Sequence, residues 1–593
     1  MIRKLVRQML TAQVLSALTV SVCLLIDNIM IGRFLGVQAI AAYGYANPIL
    51  LATGAVGSML AAGVQVVCSR SLGKGAQEET NAGYSAALAV TGAVSVVFIA
   101  VVLLFRNPLA TLMGAGSEGQ VYDSTRDYMA GFIIGTPGSI GALILVPFLQ
   151  MAGQSTLLIV AVVVMTVTDV VLDLLSVLVF HGGMFGMGLA SSLSYYAALL
   201  VSGFYFFSKK CVFRFSPKLV SWRKIGELVR GGVPTVFNMA STIVLVFVMN
   251  RILRDLGGDV AVAAFSVVTS LGNASNCVST GMGGVTLTLS GILYNEEDRT
   301  GLRELLRLLV PRALGLGVVA AAVMIVVAPW AVRLFIDPAE ASYAMAVRGV
   351  RWFSAGLIPC CLNNAFKSLY QGTDRVGLTE LISVCEGAVL PILAALASSA
   401  LSGLSGVWVY FLAGEALTTL GVAAGVCLRK HKLTARAEDY LLLSTGFGVP
   451  DQDLLEMQIQ DMRQVAEAAR TVGDFCRAHG RDDRMSNRLA LCVEEMAGNT
   501  VTHGFTGNNP KGEPRHLSIR LQDKADRWVL RFRDDCTAFD PVHYIPRETG
   551  GEKGLGIRIV LAMADEVRYT YSMNLNNLTI ILGGNEKQPE GGI

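Results

Sequence analysis

The stretch Gly83-Tyr84-Ser85-Ala86-Ala87-Leu88-Ala89-Val90-Thr91-Gly92-Ala93-Val94-Ser95-Val96-Val97-Phe98-Ile99-Ala100-Val101-Val102-Leu103-Leu104-Phe105 runs for 23 residues without a charge. At 1.5 Å per residue, about 20 apolar residues cross the roughly 30 Å of hydrocarbon in a bilayer. Eleven similar runs surround it, near 10–32, 46–69, 128–150, 156–180, 186–207, 232–252, 260–283, 312–334, 345–366, 378–400 and 405–428. Their number and scarcity of charge exclude the core helices of a large soluble protein.

The chain has 593 residues, 53% hydrophobic and 16% charged, with a net charge of +3. The charge is uneven. From Glu438 to the end, 42 of 156 residues are charged, whereas the first 437 hold only 51. An ordinary soluble domain carries roughly a quarter, so the sequence predicts a membrane region followed by a soluble tail. Lys and Arg favour the cytoplasmic side of a membrane. Alternate loops starting at the N-terminus hold 22 of them, with Lys367 and Arg375 among them, and the other loops hold 8. Both termini are therefore expected in the cytoplasm, with the chain in the plasma membrane as a multi-pass protein. The basic start of the first run is also a signal-peptide feature, but its length and the spans that follow predict that it is retained.

An internal repeat divides the membrane region. Leu35-Gly36-Val37-Gln38-Ala39-Ile40-Ala41-Ala42-Tyr43 recurs as Leu256-Gly257-Gly258-Asp259-Val260-Ala261-Val262-Ala263-Ala264-Phe265. Gly186-Met187-Gly188-Leu189-Ala190 recurs as Gly403-Leu404-Ser405-Gly406-Val407. The second half enters with the same orientation as the first, and two parallel six-helix halves around a cleft are a transporter plan. The expected organisation is a first half over 1–215, a second over 216–430, a linker over 431–445 and a tail domain over 446–593.

Ile26-Asp27-Asn28-Ile29-Met30-Ile31-Gly32, Pro48, Ser69-Arg70-Ser71-Leu72-Gly73-Lys74-Gly75, Asp169-Val170-Val171-Leu172-Asp173 and Gly232-Val233-Pro234 stand in an order that resembles the multidrug and toxic compound extrusion family over about 1–430. The resemblance implies a polytopic all-α fold of twelve transmembrane helices in two bundles. It also implies export of organic cations or other amphiphiles, driven by inward flow of Na⁺ or H⁺. An ionised carboxylate in lipid is costly and marks a functional site. Asp27 matches the family's cation-coupling aspartate. Asp169 and Asp173, at i and i+4, share a helix face; they bind cations or cap interhelical contacts. Glu386 and Glu415, in the last two spans, are substrate-charge partners or structural hydrogen-bonding groups. Where some family members carry an acid early in the seventh helix, this chain has Asn238, a departure for any coupling scheme in the second half.

The tail changes pattern. Mixed-charge amphipathic helices are predicted at Met462–His479 and Asp483–His503. Strands follow at Leu517–Leu521, Trp528–Arg533, Val567–Ser572 and Leu578–Leu582, with a glycine-rich loop leading into a helix over Gly550–Ala564. In the first of three motifs, Glu495-Met496-Ala497-Gly498-Asn499, a carboxylate suited to general-base work and an amide oxygen suited to Mg²⁺ share a helix face. Adjacent Glu494 reads as a polar surface residue. The second is Asp534-Asp535-Cys536-Thr537-Ala538-Phe539-Asp540-Pro541, whose strand-end acid can accept from an adenine amino group. In the third, Lys553-Gly554-Leu555-Gly556-Ile557-Arg558-Ile559, glycines let backbone N–H groups approach phosphates at a helix start.

In this order the motifs resemble the ATP-binding domain shared by histidine kinases, gyrase and heat-shock-type chaperones (the GHKL, or Bergerat, α/β sandwich). The anti-sigma-factor serine-kinase branch is the most similar. That resemblance implies Glu495 as catalytic base, Asn499 as Mg²⁺ ligand, Asp534 as adenine contact, and Lys553, Gly554 and Gly556 at the phosphates of ATP. It implies in turn either a Ser/Thr kinase acting on an anti-anti-sigma-like (STAS) protein or a module that senses nucleotide in cis. Cys536 and Ala538 stand where that family has glycines, and their Cβ atoms are expected to crowd the nucleotide or restrict the backbone. A membrane-anchored sensor kinase and a lipid-linked precursor flippase are the alternative readings of the whole chain. The cysteine and histidine spacing supports neither a zinc site nor a disulfide framework. A P-loop is absent, and no basic stripe with aromatics points to nucleic acid.

Overall fold

The computed structural model describes residues 2–583 apart from 36, 114, 116, 207, 209–210, 432–435, 445–446, 507–514, 525 and 544–553. The first half comprises α1 (Ile2–Met30), α2 (Val37–Gly73), α3 (Gln77–Leu104), α4 (Arg106–Leu112), α5 (Gln120–Ile133), α6 (Thr136–Met151), α7 (Ser155–Leu178) and α8 (Gly183–Phe206). The second comprises α9 (Trp222–Ser275), α10 (Cys277–Asn295), α11 (Arg299–Arg333), α12 (Ala341–Gly372), α13 (Val376–Val384), α14 (Leu390–Ser402), α15 (Leu404–Val407) and α16 (Tyr410–Lys430). The α9 rod breaks at Gly258, whose φ of 65° lies in the left-handed region that glycine enters without a Cβ penalty. A π-helical turn, Cys385–Val389, joins α13 to α14.

Among the described residues nine helices are long and apolar enough to cross a bilayer, or ten when α5 and α6, bent by 49°, count as one span. The other two expected spans are present as α1 and α12, which carry charged residues such as Arg7 and Asp27, and Arg348 and Arg351, within their length. Lys367 is a correction. It was counted as a loop residue, but α12 continues to Gly372 and places it beside Glu386.

Small residues bring the halves together at one end. A Cβ on Gly63 would lie 2.0 Å from the Leu228 carbonyl oxygen, and one on Gly73 2.5 Å from that of Ile292. One on Gly291 would lie 2.2 Å from Ser69 Oγ. Arg70 Nη2 pairs with Asp374 Oδ1 at 2.7 Å on the same face. This is also the face on which the tail sits, and Leu441, Leu442 and Met573 join the core of α1, α10, α11 and α12.

The tail is a five-stranded antiparallel sheet of order β1-β2-β3-β5-β4, formed by β1 (Leu454–Ile459), β2 (Leu517–Lys524), β3 (Arg527–Asp534), β4 (Glu566–Ser572) and β5 (Leu575–Leu582). Helices α17 (Met462–Ala478), α18 (Asp483–Asn499) and α19 (Leu555–Met563) cover one face. Asp461 caps α17 by accepting from Gln464 N–H at 2.9 Å, and Asp482 caps α18 by accepting from Met485 N–H at 2.9 Å. Period-2 alternation sends Leu517, Ile519, Leu521, Trp528, Leu530 and Phe532 into the helix-side core. The four expected strands form. β1 was not expected, although Leu455, Met457 and Ile459 alternate with Glu456 and Gln458 and pack toward the helix-side core; the run is only six residues long.

Candidate functional sites

In the first half, α1 contributes Asp27 and α7 contributes Asp169 and Asp173. Each offers a carboxylate oxygen, and the three oxygens lie within 4.8 Å of one another. Their residues are 6%, 4% and 0% exposed, so water does little to screen three acids at contact range. Asp173 has both oxygens, and Asp27 and Asp169 one each, without a hydrogen-bond partner. Such a set of hard oxygen donors fits Na⁺ or shared protons, either of which would satisfy the orphaned atoms.

Glu386 and Glu415 lie apart from these acids, in the second half. Glu386, in the π-helical turn, pairs with Lys367 and accepts from Asn238 Nδ2 at 3.3 Å. Glu415, on α16, accepts from Asn363 Nδ2 at 2.7 Å, and Thr419 Oγ1 donates to Asn363 Oδ1 at 2.8 Å. Both carboxylates are buried. Asn238 thus occurs where an acid was the family alternative and serves an acid brought in by another helix. The part played by Lys367 was missed because it lies one residue past the expected end of its span.

In the tail the three motifs meet. Glu495 lies on α18, and a Cβ on Gly556 would come within 1.7 Å of its Oε2, so the close approach of motifs one and three requires glycine there. Glu494 is exposed. Gly554, at φ 83°, caps α19 and brings no side chain of its own to that helix's first N–H groups. Asn499 ends α18, which continues as a π-helical turn to Gly504. Motif two packs against this turn: a Cβ on Gly504 would lie 2.9 Å from Cys536 Sγ.

Asp534 closes β3. Its Oδ1 accepts from Cys536 N–H at 3.0 Å and from Asn576 Nδ2 at 2.7 Å. Burial pushes its carboxyl above the ordinary range despite these two bonds. Asn576 Oδ1 in turn accepts from Tyr569 Oη at 2.6 Å and from Phe539 N–H at 3.1 Å. Asn576 therefore fixes the second motif from β5, and nothing in the motif's own spacing points to it. Cys536 and Ala538 keep negative φ, so neither position demands the left-handed backbone that favours glycine, and the Cys536 side chain is buried. Lys553 lies outside the described residues. A helix N-terminus, an acid at a strand end and a Glu/Asn helix face suit the phosphates, base and Mg²⁺ of a bound nucleotide respectively.

A family model described as MatE matches residues 13–175 and 234–396, and one described as histidine kinase-like ATPase domain matches 460–582. The multidrug export protein MepA of Staphylococcus aureus is 23% identical over 408 residues, covering 68% of this chain and 88% of that protein. A MATE structure in complex with MaL6 superposes with a TM-score of 0.66 at 17% identity, covering 71% of this chain and 94% of that one. A MOP superfamily transporter from Pyrococcus furiosus gives 0.66 at 18% identity, with 75% and 97% covered.

Proposed function

Since the chain belongs to the MatE family and carries a histidine kinase-like ATPase domain behind its membrane region, we propose that it exports organic cations or other amphiphiles against inward flow of Na⁺ or H⁺, under the control of its nucleotide-binding tail. The observation that carries the transport reading is the buried Asp27–Asp169–Asp173 cluster. Occupied by Na⁺ or protons, it carries less negative charge and less repulsion; emptied, it is three acids in mutual repulsion. That difference favours one arrangement of α1 against α7 over another, and a transporter needs such a bistable element. Glu386, held by Lys367, and Glu415 supply the second half with a separate polar site for the charge of a substrate.

On the tail, Mg²⁺·ATP fits with Asp534 at the base, Asn499 at the metal and the Gly554–Gly556 turn at the phosphates, with Glu495 in reach of an attacking group. Bound ATP would supply a transferable phosphoryl group and a large anionic ligand. The tail's bonds to loops of the membrane region favour regulation in cis over a kinase serving a separate STAS protein. Both ends of the chain are assigned to the cytoplasm, where ATP is found.

Export of a fluorescent organic cation from cells, with the Na⁺ and H⁺ gradients collapsed in turn, tests the coupling. Loss of export with one gradient and in Asp27→Asn is expected. Export that survives the substitution and ignores both gradients overturns the proposal.

A further inference from the structure

The face of an antiparallel sheet turned away from its helices is commonly solvated. Here it carries a block of cations. Arg520 and Lys524 on β2, and Arg531 and Arg533 on β3, alternate with the apolar residues that face the helices. This face lies on the loop Glu296-Glu297-Asp298 between α10 and α11. Arg533 Nη2 donates to Glu296 Oε2 at 2.5 Å, and Arg531 Nη1 lies 3.8 Å from the same oxygen. Lys524 Nζ donates to Glu297 Oε2 at 2.6 Å, and Arg520 Nη1 pairs with Asp298 Oδ1 at 2.5 Å. Glu296, Asp298 and Arg520 are buried. All three acids belong to the second half.

The same sheet also holds the first half, through backbone atoms. Arg568 Nη1 on β4 donates to the Lys74 carbonyl at 2.9 Å. In the turn between β4 and β5, Met573 N–H donates to the Met151 carbonyl at 2.6 Å, and Asn574 Nδ2 to that of Gly153 at 2.9 Å. The fit at Gly153 is close: a Cβ there would lie 2.5 Å from Asn574 N. Each half is thus bonded to one rigid sheet, at the end where the halves already touch.

We propose that this sheet face is an interaction surface whose partners are the acidic loop 296–298 and the 74 and 151–153 loops, and that it clasps the transporter shut on the tail side. For the halves to part there, one set of bonds must break. The clasp shares its strands with the nucleotide site. Arg533 precedes Asp534, and Arg533 Nε donates at 2.7 Å to Asn577 Oδ1, next to the Asn576 that holds Asp534. Nucleotide binding therefore acts on the strands that carry the clasp.

The inference rests on the transporter reading, but its test reads distance and not export, so the two fail separately. Genetically encoded spin labels at the exposed positions Glu78 and Glu304, on the tail-side ends of the two halves, report separation in the full chain by pulsed electron resonance. A single short distance is expected in the unaltered protein. Arg520→Glu with Arg533→Glu should add a longer population, and so should Gly153→Leu, which attacks the clasp from the other half. Combining Arg533→Glu with Glu296→Arg, which leaves the Asp298 cap of α11 in place, should restore the short distance lost in Arg533→Glu alone, which separates lost docking from misfolding. Hydrogen exchange over 517–533 reports the release of the tail. A released tail with an unchanged distance overturns the clasp, and a tail that stays docked after charge reversal overturns the surface.

Discussion

Asp173 is fully buried, with neither carboxylate oxygen hydrogen-bonded among the described residues. A structural acid at such depth would have partners, because an unsatisfied buried charge destabilises the fold. Asp173→Asn should therefore leave the melting temperature unchanged or raise it, while ion-driven export falls on the order of tenfold, about 1.4 kcal/mol of coupling. A sharp fall in melting temperature would instead mark the residue as structural. Asp534 makes the complementary case. Asp534→Asn should weaken ATP binding by about 1–3 kcal/mol, the cost of mispairing a buried acceptor, as titration calorimetry would show. Burial raises its carboxyl, so it takes up a proton at a higher pH than an ordinary aspartate and becomes a poorer acceptor. ATP affinity should fall with acidification before the usual carboxylate range is reached, and Asp534→Asn should remove that dependence. These acids were legible in the sequence because a charge within an apolar run, or at the end of an alternating strand, stands out. Asn576 and Lys367 were not, since each acts through a contact made across the chain.

At the scale of elements, Asp298 does two things. Its Oδ1 accepts from Gly301 N–H at 2.6 Å, which caps α11, and pairs with Arg520 of the sheet. Burial alone would push its carboxyl up, but Arg520, Arg533 and the Gly301 N–H overcome this and hold it below the ordinary range. The sign of the linkage follows. With the docked value depressed, the contribution of Asp298 is complete above the undocked value, about 4, and is lost as pH falls through the lower docked value. Tail docking should therefore withstand mild acid, which exchange over 517–533 at descending pH would check. Asp298→Ala removes a cap worth about 1 kcal/mol and leaves Arg520 with Glu456 of β1, 3.3 Å away, as its acidic partner, a smaller loss than the roughly 3–5 kcal/mol of a buried charge left wholly unpaired. The tail should be released and α11 should fray from its first turn. Strands β2 to β5 were legible from period-2 alternation, and the cations on their far faces follow from the same alternation. What the alternation could not give was the partner, because Glu296-Glu297-Asp298 lies more than 200 residues upstream.

On the scale of the whole molecule, the expected helices follow from hydropathy, which depends on length and composition and so survives without knowledge of contacts, and the repeat follows from recurring stretches such as Leu35–Tyr43 and Leu256–Phe265. The clustering of Asp27 with Asp169 and Asp173, and the separation of Glu386 and Glu415 from them, depend on how the helices pack, which hydropathy does not carry. Nor does it show that the tail spans both halves. On the proposed reading, clasp and coupling site together make a gradient-driven exporter whose opening on one side is set by its histidine kinase-like ATPase domain. The most direct measurement is export of a fluorescent cation by the purified full chain in proteoliposomes, under a fixed ion gradient, with and without Mg²⁺·ATP on the tail side. A rate that changes with ATP in the unaltered chain, and no longer changes in Asp534→Asn, is the expected result. A gradient-driven rate that is the same with and without ATP, in a chain that binds ATP, would contradict it.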